Sequence, residues 1–154
     1  IRDSSRSDPS NMDRWARLKN GKTLCIIKPD AVKNSFVEDI NKSIKSNGLE
    51  IINSKRIQLS KKIAEDFYSE HAERPFFSEL VEFMTSDFSV VQILQGEDAI
   101  STYRKLMGAT NPEEAEEGTL RARFAESLSK NAVHGSDSAD SAIREIDIMS
   151  KIFD

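Results

Sequence analysis

Apolar positions along the chain fall into short runs and helical stripes separated by Gly, Pro and polar clusters. Leu24 to Ile27 is an unbroken apolar run of strand length, stopped at Lys28-Pro29 because proline brings no donor to a ladder. Phe36, Val37, Ile40 and Ile44 recur at helical spacing, and Gly48 follows where a helix C-terminus is closed. Leu49 to Leu59 reads as a second strand. Ser60 is placed to cap a helix with the stripe Ile63, Ala64, Phe67, Tyr68 and His71. Pro75 restarts the chain into a helix through Phe76, Phe77, Leu80, Val81 and Met84. Phe88 to Leu94 is a third strand, ended by Gly96, and Ala99, Ile100, Tyr103, Leu106 and Met107 mark a helix closed by Gly108. Thr110 to Gly118 is a surface excursion, and Arg121 to Leu128 is weakly patterned. Asn131 to His134 is a short last strand, followed by a Gly-Ser-Asp-Ser turn. A final helix carries Ala139, Ala142, Ile143, Ile146 and Met149. Strands separated by helices give an α/β sandwich on one sheet, either parallel and doubly wound or antiparallel of split βαβ type. Periodicity leaves both open.

The first twenty residues lack either period. With four serines and scattered charges, residues 1–20 read as a disordered tail or an expression remnant, and the acidic residues among them argue against a transit peptide. The remainder, 21–154, is long enough for a single core. The full chain of 154 residues has 22 Lys plus Arg and 26 Asp plus Glu. The first twenty residues hold five basic and three acidic side chains, so residues 21–154 have 17 against 23 and a net charge of −6. That balance speaks against a general nucleic-acid surface, and no aromatic pair stands in a basic strand. No apolar run is long enough to span a membrane. One cysteine, Cys25, fits a reducing, cytoplasmic setting.

Among the chemical candidates, Gly21-Lys22-Thr23 lacks the earlier glycine of a phosphate-binding loop, since Ala16 stands there, and Thr23 opens a strand. Two His and one Cys far apart make no zinc pattern. Cys25 is expected as inert packing, and His71 as a helix-terminal polar residue. His134 is different, because it stands where a strand hands over to a turn. Lys28 stands at another strand end. Arg104, Arg121 and Lys28 are the cations expected to converge on a polyphosphate in an otherwise acidic body.

Five segments carry a resemblance to a known family: Thr23–Asp30 (TLCIIKPD), Glu70–Phe77 (EHAERPFF), Leu106–Pro112 (LMGATNP), Gly118–Arg121 (GTLR) and Asn131–Ser138 (NAVHGSDS). In order and spacing they resemble nucleoside diphosphate kinases. The resemblance implies a ferredoxin-like α+β fold, a four-stranded antiparallel sheet covered by helices. It implies ping-pong transfer of the terminal phosphoryl group from a nucleoside triphosphate, usually ATP, through a phosphohistidine at His134 to a nucleoside diphosphate, balancing NTP and dNTP pools. By match to the family pattern, Lys28 contacts the moving phosphoryl group, and Arg104, Thr110 and Arg121 bind the outer phosphates. Tyr68 stands beside the histidine, Phe76 stacks on the base, and Asn131 with Lys28 holds the sugar hydroxyls. Glu145 with Ser136 orients the imidazole. Mg2+ travels on the nucleotide phosphates rather than in a carboxylate cage. A homo-oligomer, tetramer or hexamer, is also implied, and the nine residues after Glu145 are like the short C-terminus of bacterial members.

Three departures from the family pattern stand out: Glu38, the pair Asp87-Phe88, and Arg123 where an Asp is common. Arg123 is expected to add a cation near the phosphates, so that Arg123→Asp would weaken nucleotide binding and its salt sensitivity.

Overall fold

The computed structural model describes residues 21–153; the tail expected over residues 1–20 lies outside them. In chain order the elements are β1 (Lys22–Ile27), α1 (Pro29–Lys33), α2 (Val37–Ser46), β2 (Glu50–Ile57), α3 (Lys61–Phe67), a 3-10 turn (Ser69–His71), α4 (Phe77–Thr85), β3 (Ser89–Gln95), α5 (Ala99–Met107), α6 (Leu120–Phe124), β4 (Val133–Gly135), α7 (Ala139–Met149) and a closing 3-10 turn (Ser150–Phe153). The four strands form one sheet in the order β2-β3-β1-β4. Every pairing is antiparallel. This is the ferredoxin-like arrangement, and it settles the topology that the apolar pattern left open.

Burial on both faces explains why β1 shows a continuous apolar run instead of alternation. Cys25 and Ile27 face a core closed by Ile40 and Ile44 of α2, Tyr103 and Met107 of α5, and Leu120 and Phe124 of α6. Leu24 and Ile26 face the opposite core with Phe67, Tyr68, Met84 and Met149. Among the described residues β2 has only β3 as partner, and it is exposed along most of its length. Its register with β3 is broken between Ile51 and Asn53.

Caps end several elements where the chain chemistry allows. The Ser60, Thr119 and Ser138 side chains accept from the backbone N–H three residues on, at the starts of α3, α6 and α7. Two five-residue helices were not anticipated, α1 and α6, since a single turn is too short to display a period. Proline at the first position of α1 both ends β1 and starts the helix. Other boundaries shift. Tyr68 and His71 lie beyond the end of α3, as its C-cap and in the 3-10 turn, and Phe76 precedes α4 as its N-cap. The last strand begins at Val133 rather than Asn131, because Ala132 has a left-handed backbone with φ of 73°. Ile143, on the expected apolar stripe of α7, is 53% exposed.

Candidate active site

His134 pairs with Ile26 across the β1–β4 ladder, so its side chain leaves the sheet on the face of Leu24 and Ile26. There the edge of its ring meets Phe67, with centroids 5.1 Å apart. A short hydrogen-bonded chain fixes its orientation. The Leu24 N–H donates to Ser136 Oγ at 3.2 Å, and the Ser136 hydroxyl donates to Glu145 Oε1 at 2.8 Å. Nε2 of His134 lies 2.9 Å from the same carboxylate oxygen. An ionised carboxylate only accepts, so Nε2 carries the proton and Nδ1 keeps the lone pair. Glu145 and Ser136 are both buried, Glu145 on the inward side of α7.

The strand beside His134 admits no side chain at the next position. A Cβ on Gly135 would come within 2.7 Å of the Tyr103 ring and of Met107. Tyr103 is fully buried and its hydroxyl lies 3.1 Å from Cys25 Sγ, which packs α5 against β1 and β4 at this point. Cys25 is buried, as expected, and burial pushes its thiol up to about 11, away from thiolate chemistry.

A cleft of about 310 Å³ opens over His134. One wall is the end of α3 and the 3-10 turn, with Phe67, Tyr68, Glu70 and His71; the other is Arg104, Gly108 to Thr110 and Arg121. Asp137, Arg144 and Glu145 complete it. His71, expected as an incidental polar residue, thus lines the cleft. Its ring lies 5.6 Å from that of Phe76, which is 46% exposed at the rim. Arg104 stands exposed in the last turn of α5. Arg121 is buried, its fork donating to Gly108 C=O at 3.1 Å and Val133 C=O at 2.9 Å, while Nε has no partner among the described residues. Tyr68 Oη is likewise buried without a partner, and burial, then the charge of Glu145, drives its pKa upward.

Lys28 and Asn131 are not on the cleft wall but form a second row. Lys28 Nζ donates to Asn131 Oδ1 at 2.8 Å, and Asn131 Nδ2 donates to Thr110 C=O at 3.4 Å. Burial, and then the Arg121 charge, pull Lys28 down to about 8, with Asp30 opposing. Of the expected residues, His134, Tyr68, Glu145, Arg104, Thr110 and Arg121 border one cleft. Ser136 lies beneath it, Phe76 at its rim, and Lys28 and Asn131 behind Thr110. Among the described residues, no three His, Cys, Asp or Glu side chains gather as a metal cage.

A family model for nucleoside diphosphate kinase matches residues 21–153. Nucleoside diphosphate kinases of Wolbachia sp. subsp. Drosophila simulans (strain wRi) and Campylobacter jejuni (strain RM1221) are each 58% identical. The first match covers 81% of this chain and 90% of the relative; the second covers 84% and 95%. The crystal structure of the Aquifex aeolicus nucleoside diphosphate kinase superposes with a TM-score of 0.82 at 41% identity, over 84% of this chain and 94% of that one. The Encephalitozoon cuniculi nucleoside diphosphate kinase gives 0.82 at 38% identity, over 87% and 90%.

The chain belongs to the nucleoside diphosphate kinase family. Phosphotransfer between nucleotides is the general activity of that family. Seen as a nucleoside diphosphate kinase, the chain also corrects one expectation. Arg123 turns away from the cleft: it donates to Ser43 Oγ at 3.0 Å and its guanidinium sits 4.6 Å from the centre of the Phe124 ring. Phe88 is a surface residue with the Arg56 guanidinium 5.0 Å over its ring, and Glu38 stands in the first turn of α2, where the helix dipole favours it.

Sequence reasoning missed Arg144. Its NH2 group donates to the Asp66 and Phe67 carbonyls at 2.9 and 3.1 Å and to Ser69 Oγ at 2.9 Å, which caps the end of α3 from α7. Nothing local in the sequence signals a cap supplied from 77 residues away.

Proposed function

We propose that the chain transfers the terminal phosphoryl group of a nucleoside triphosphate to a nucleoside diphosphate through a phosphohistidine at His134. The observation that carries this reading is the Glu145 bond to Nε2, which leaves Nδ1 as the nucleophile at the cleft floor. Nδ1 attacks the γ-phosphorus, the bond from that phosphorus to the β-phosphate oxygen breaks, and the diphosphate leaves. A second nucleoside diphosphate then attacks the phosphohistidine with a terminal β-phosphate oxygen, the P–N bond breaks, and the imidazole returns to its starting form.

Transfer of this kind depends on positioning and neutralisation of charge. Arg104, Thr110 and Arg121 hold the outer phosphates, and Lys28 directs its charge to the moving group from the second row. Lys28 and Asn131 serve the sugar hydroxyls, and the unpartnered Tyr68 hydroxyl is free to donate to the transferred group. Glu145 accepts the Nε2 proton and supports the positive charge that develops on the ring, with Ser136 holding the carboxylate. Phe76 offers the base an aromatic face, which every base can use. Magnesium enters as part of the substrate, bound to the nucleotide phosphates. Balancing of NTP and dNTP pools, a cytoplasmic setting and homo-oligomeric assembly as tetramer or hexamer belong to the same reading, the last checked by sedimentation.

The experiment is incubation with γ-labelled Mg·ATP. The expected result is an acid-labile, base-stable label on the wild type and none on His134→Ala. An unlabelled wild type, or a labelled His134→Ala, would sink the mechanism.

A further inference from the structure

The reaction proposed above gives Lys28 a role but none to Asp30, the other polar member of the Lys28-Pro29-Asp30 segment. Asp30 is buried, and its Oδ2 accepts the Ala132 N–H at 3.1 Å. The Lys28 backbone N–H donates to the Ala132 carbonyl at 2.8 Å. Both backbone groups of Ala132 are therefore held by one segment, 102 residues earlier in the case of Asp30.

Ala132 is held there in a conformation it does not favour. Its φ is 73°, and the Val133 N–H donates across it to Asn131 C=O at 2.8 Å. A hydrogen bond from residue i+2 back to residue i with positive φ is the strained γ-turn, disfavoured for a residue with a Cβ. On one side of the turn is Asn131, the partner of Lys28; on the other are Val133, whose carbonyl binds Arg121, and then His134. The turn thus sets the spacing between the second row of the site and the nucleophile. The second carboxylate oxygen of Asp30 is buried without a partner among the described residues. The charged groups acting on it are Lys28 and Glu126, the latter also accepting from Asn34.

We propose that Asp30 is a positioning residue for phosphoryl transfer, its carboxylate holding the Ala132 turn so that His134, Asn131 and the Arg121-bound carbonyl keep their relative places. The proposal rests on the phosphohistidine reading and acts through backbone geometry, without contact to the nucleotide.

The test is the rate of His134 labelling by γ-labelled Mg·ATP, measured by rapid quench, with amide exchange at Ala132 followed in parallel. Asp30→Ala is expected to slow labelling by about 100-fold, the scale of a small misplacement of reacting groups. Asp30→Asn, whose amide oxygen still accepts the Ala132 N–H, is expected to retain most of the rate. Asp30→Ala combined with Ala132→Gly is expected to recover about tenfold over Asp30→Ala alone, because glycine adopts positive φ without the Cβ penalty. Ala132 exchange is expected to quicken in Asp30→Ala and to stay slow in Asp30→Asn.

Wild-type labelling in Asp30→Ala overturns the proposal, as does a folded double variant no faster than the single one. Should Asp30→Ala fail to fold, Asp30→Asn decides: a folded Asn variant whose labelling is slowed by about 100-fold overturns it. A wild type that takes up no label overturns the phosphohistidine reading instead, and the hold on Ala132 is then read from exchange alone.

Discussion

At the scale of single residues, the site keeps groups in states that water would not favour. Lys28 is a buried ammonium whose pKa falls to about 8 from an ordinary 10.5. Two consequences have opposite signs. Transfer activity, which on the proposed mechanism uses the charged form, is expected to decline as pH rises through about 8. Stability moves the other way: between about 8 and 10.5 the unfolded chain binds a proton that the folded chain has released, so folding gains as pH rises across that window. The thermal midpoint of the wild type is therefore expected to rise relative to that of Lys28→Met between pH 7 and pH 10. A relative fall would contradict the burial of a charged Lys28. Tyr68 gives a second case. Its buried hydroxyl, without a partner among the described residues, gains nothing for the fold, so Tyr68→Phe is expected to match or exceed the wild-type stability, within about 1 kcal/mol, while labelling slows by about tenfold. His134 and Lys28 were legible in the sequence because each stands where an apolar run gives way to a turn or a proline. The burial of Tyr68 was legible as well, from its place on an apolar stripe; that it is the C-cap of α3 was not, since a C-cap and a helix interior position share the same place in such a stripe.

At the scale of elements, β4 is three residues long yet carries His134, the nucleophile of the proposed mechanism, and it is steadied by packing rather than by length. Gly135 is where α5 leans closest. A Cβ there meets the buried Tyr103 ring, which has no free direction to move, so Gly135→Ala is expected to destabilise by about 1–3 kcal/mol and to displace His134. Denaturant unfolding and quench labelling measure both effects; wild-type values in each would mean that β4 yields without disturbing the site. The strands and longer helices could be read from the sequence because burial on one or two faces leaves a period or an apolar run. The short α1 and α6 could not, although they bring Asp30 and Arg121 to their places. Their information lies in long-range partners: Ala132 for Asp30, and the Gly108 and Val133 carbonyls for Arg121.

At the scale of the whole molecule, a body with net charge −6 over residues 21–154 presents a cleft bordered by Arg104, Arg121 and Arg144, with Lys28 behind it. Sequence order shows that these cations exist; only the antiparallel closure of β1 between β3 and β4 brings them to one place. The same closure explains why the apolar pattern left the topology open, since a central strand buried on both faces looks alike in parallel and antiparallel sheets. It also explains why closeness in sequence misleads. Arg123 is two residues from Arg121, but one short helix turns it toward Ser43 and the Phe124 ring, away from the cleft. A binding series at rising ionic strength separates local from global charge, because exposed charges are screened over about 8 Å at physiological salt. Arg104→Ala is expected to raise the KM for Mg·ATP by about tenfold and to flatten its salt dependence, as loss of a charge-assisted phosphate contact would. Arg123→Asp alters the net charge twice as much, yet is expected to leave KM and the salt slope near wild type. Equal effects from the two variants would mean that the acidic body as a whole, and not the cleft, governs nucleotide capture.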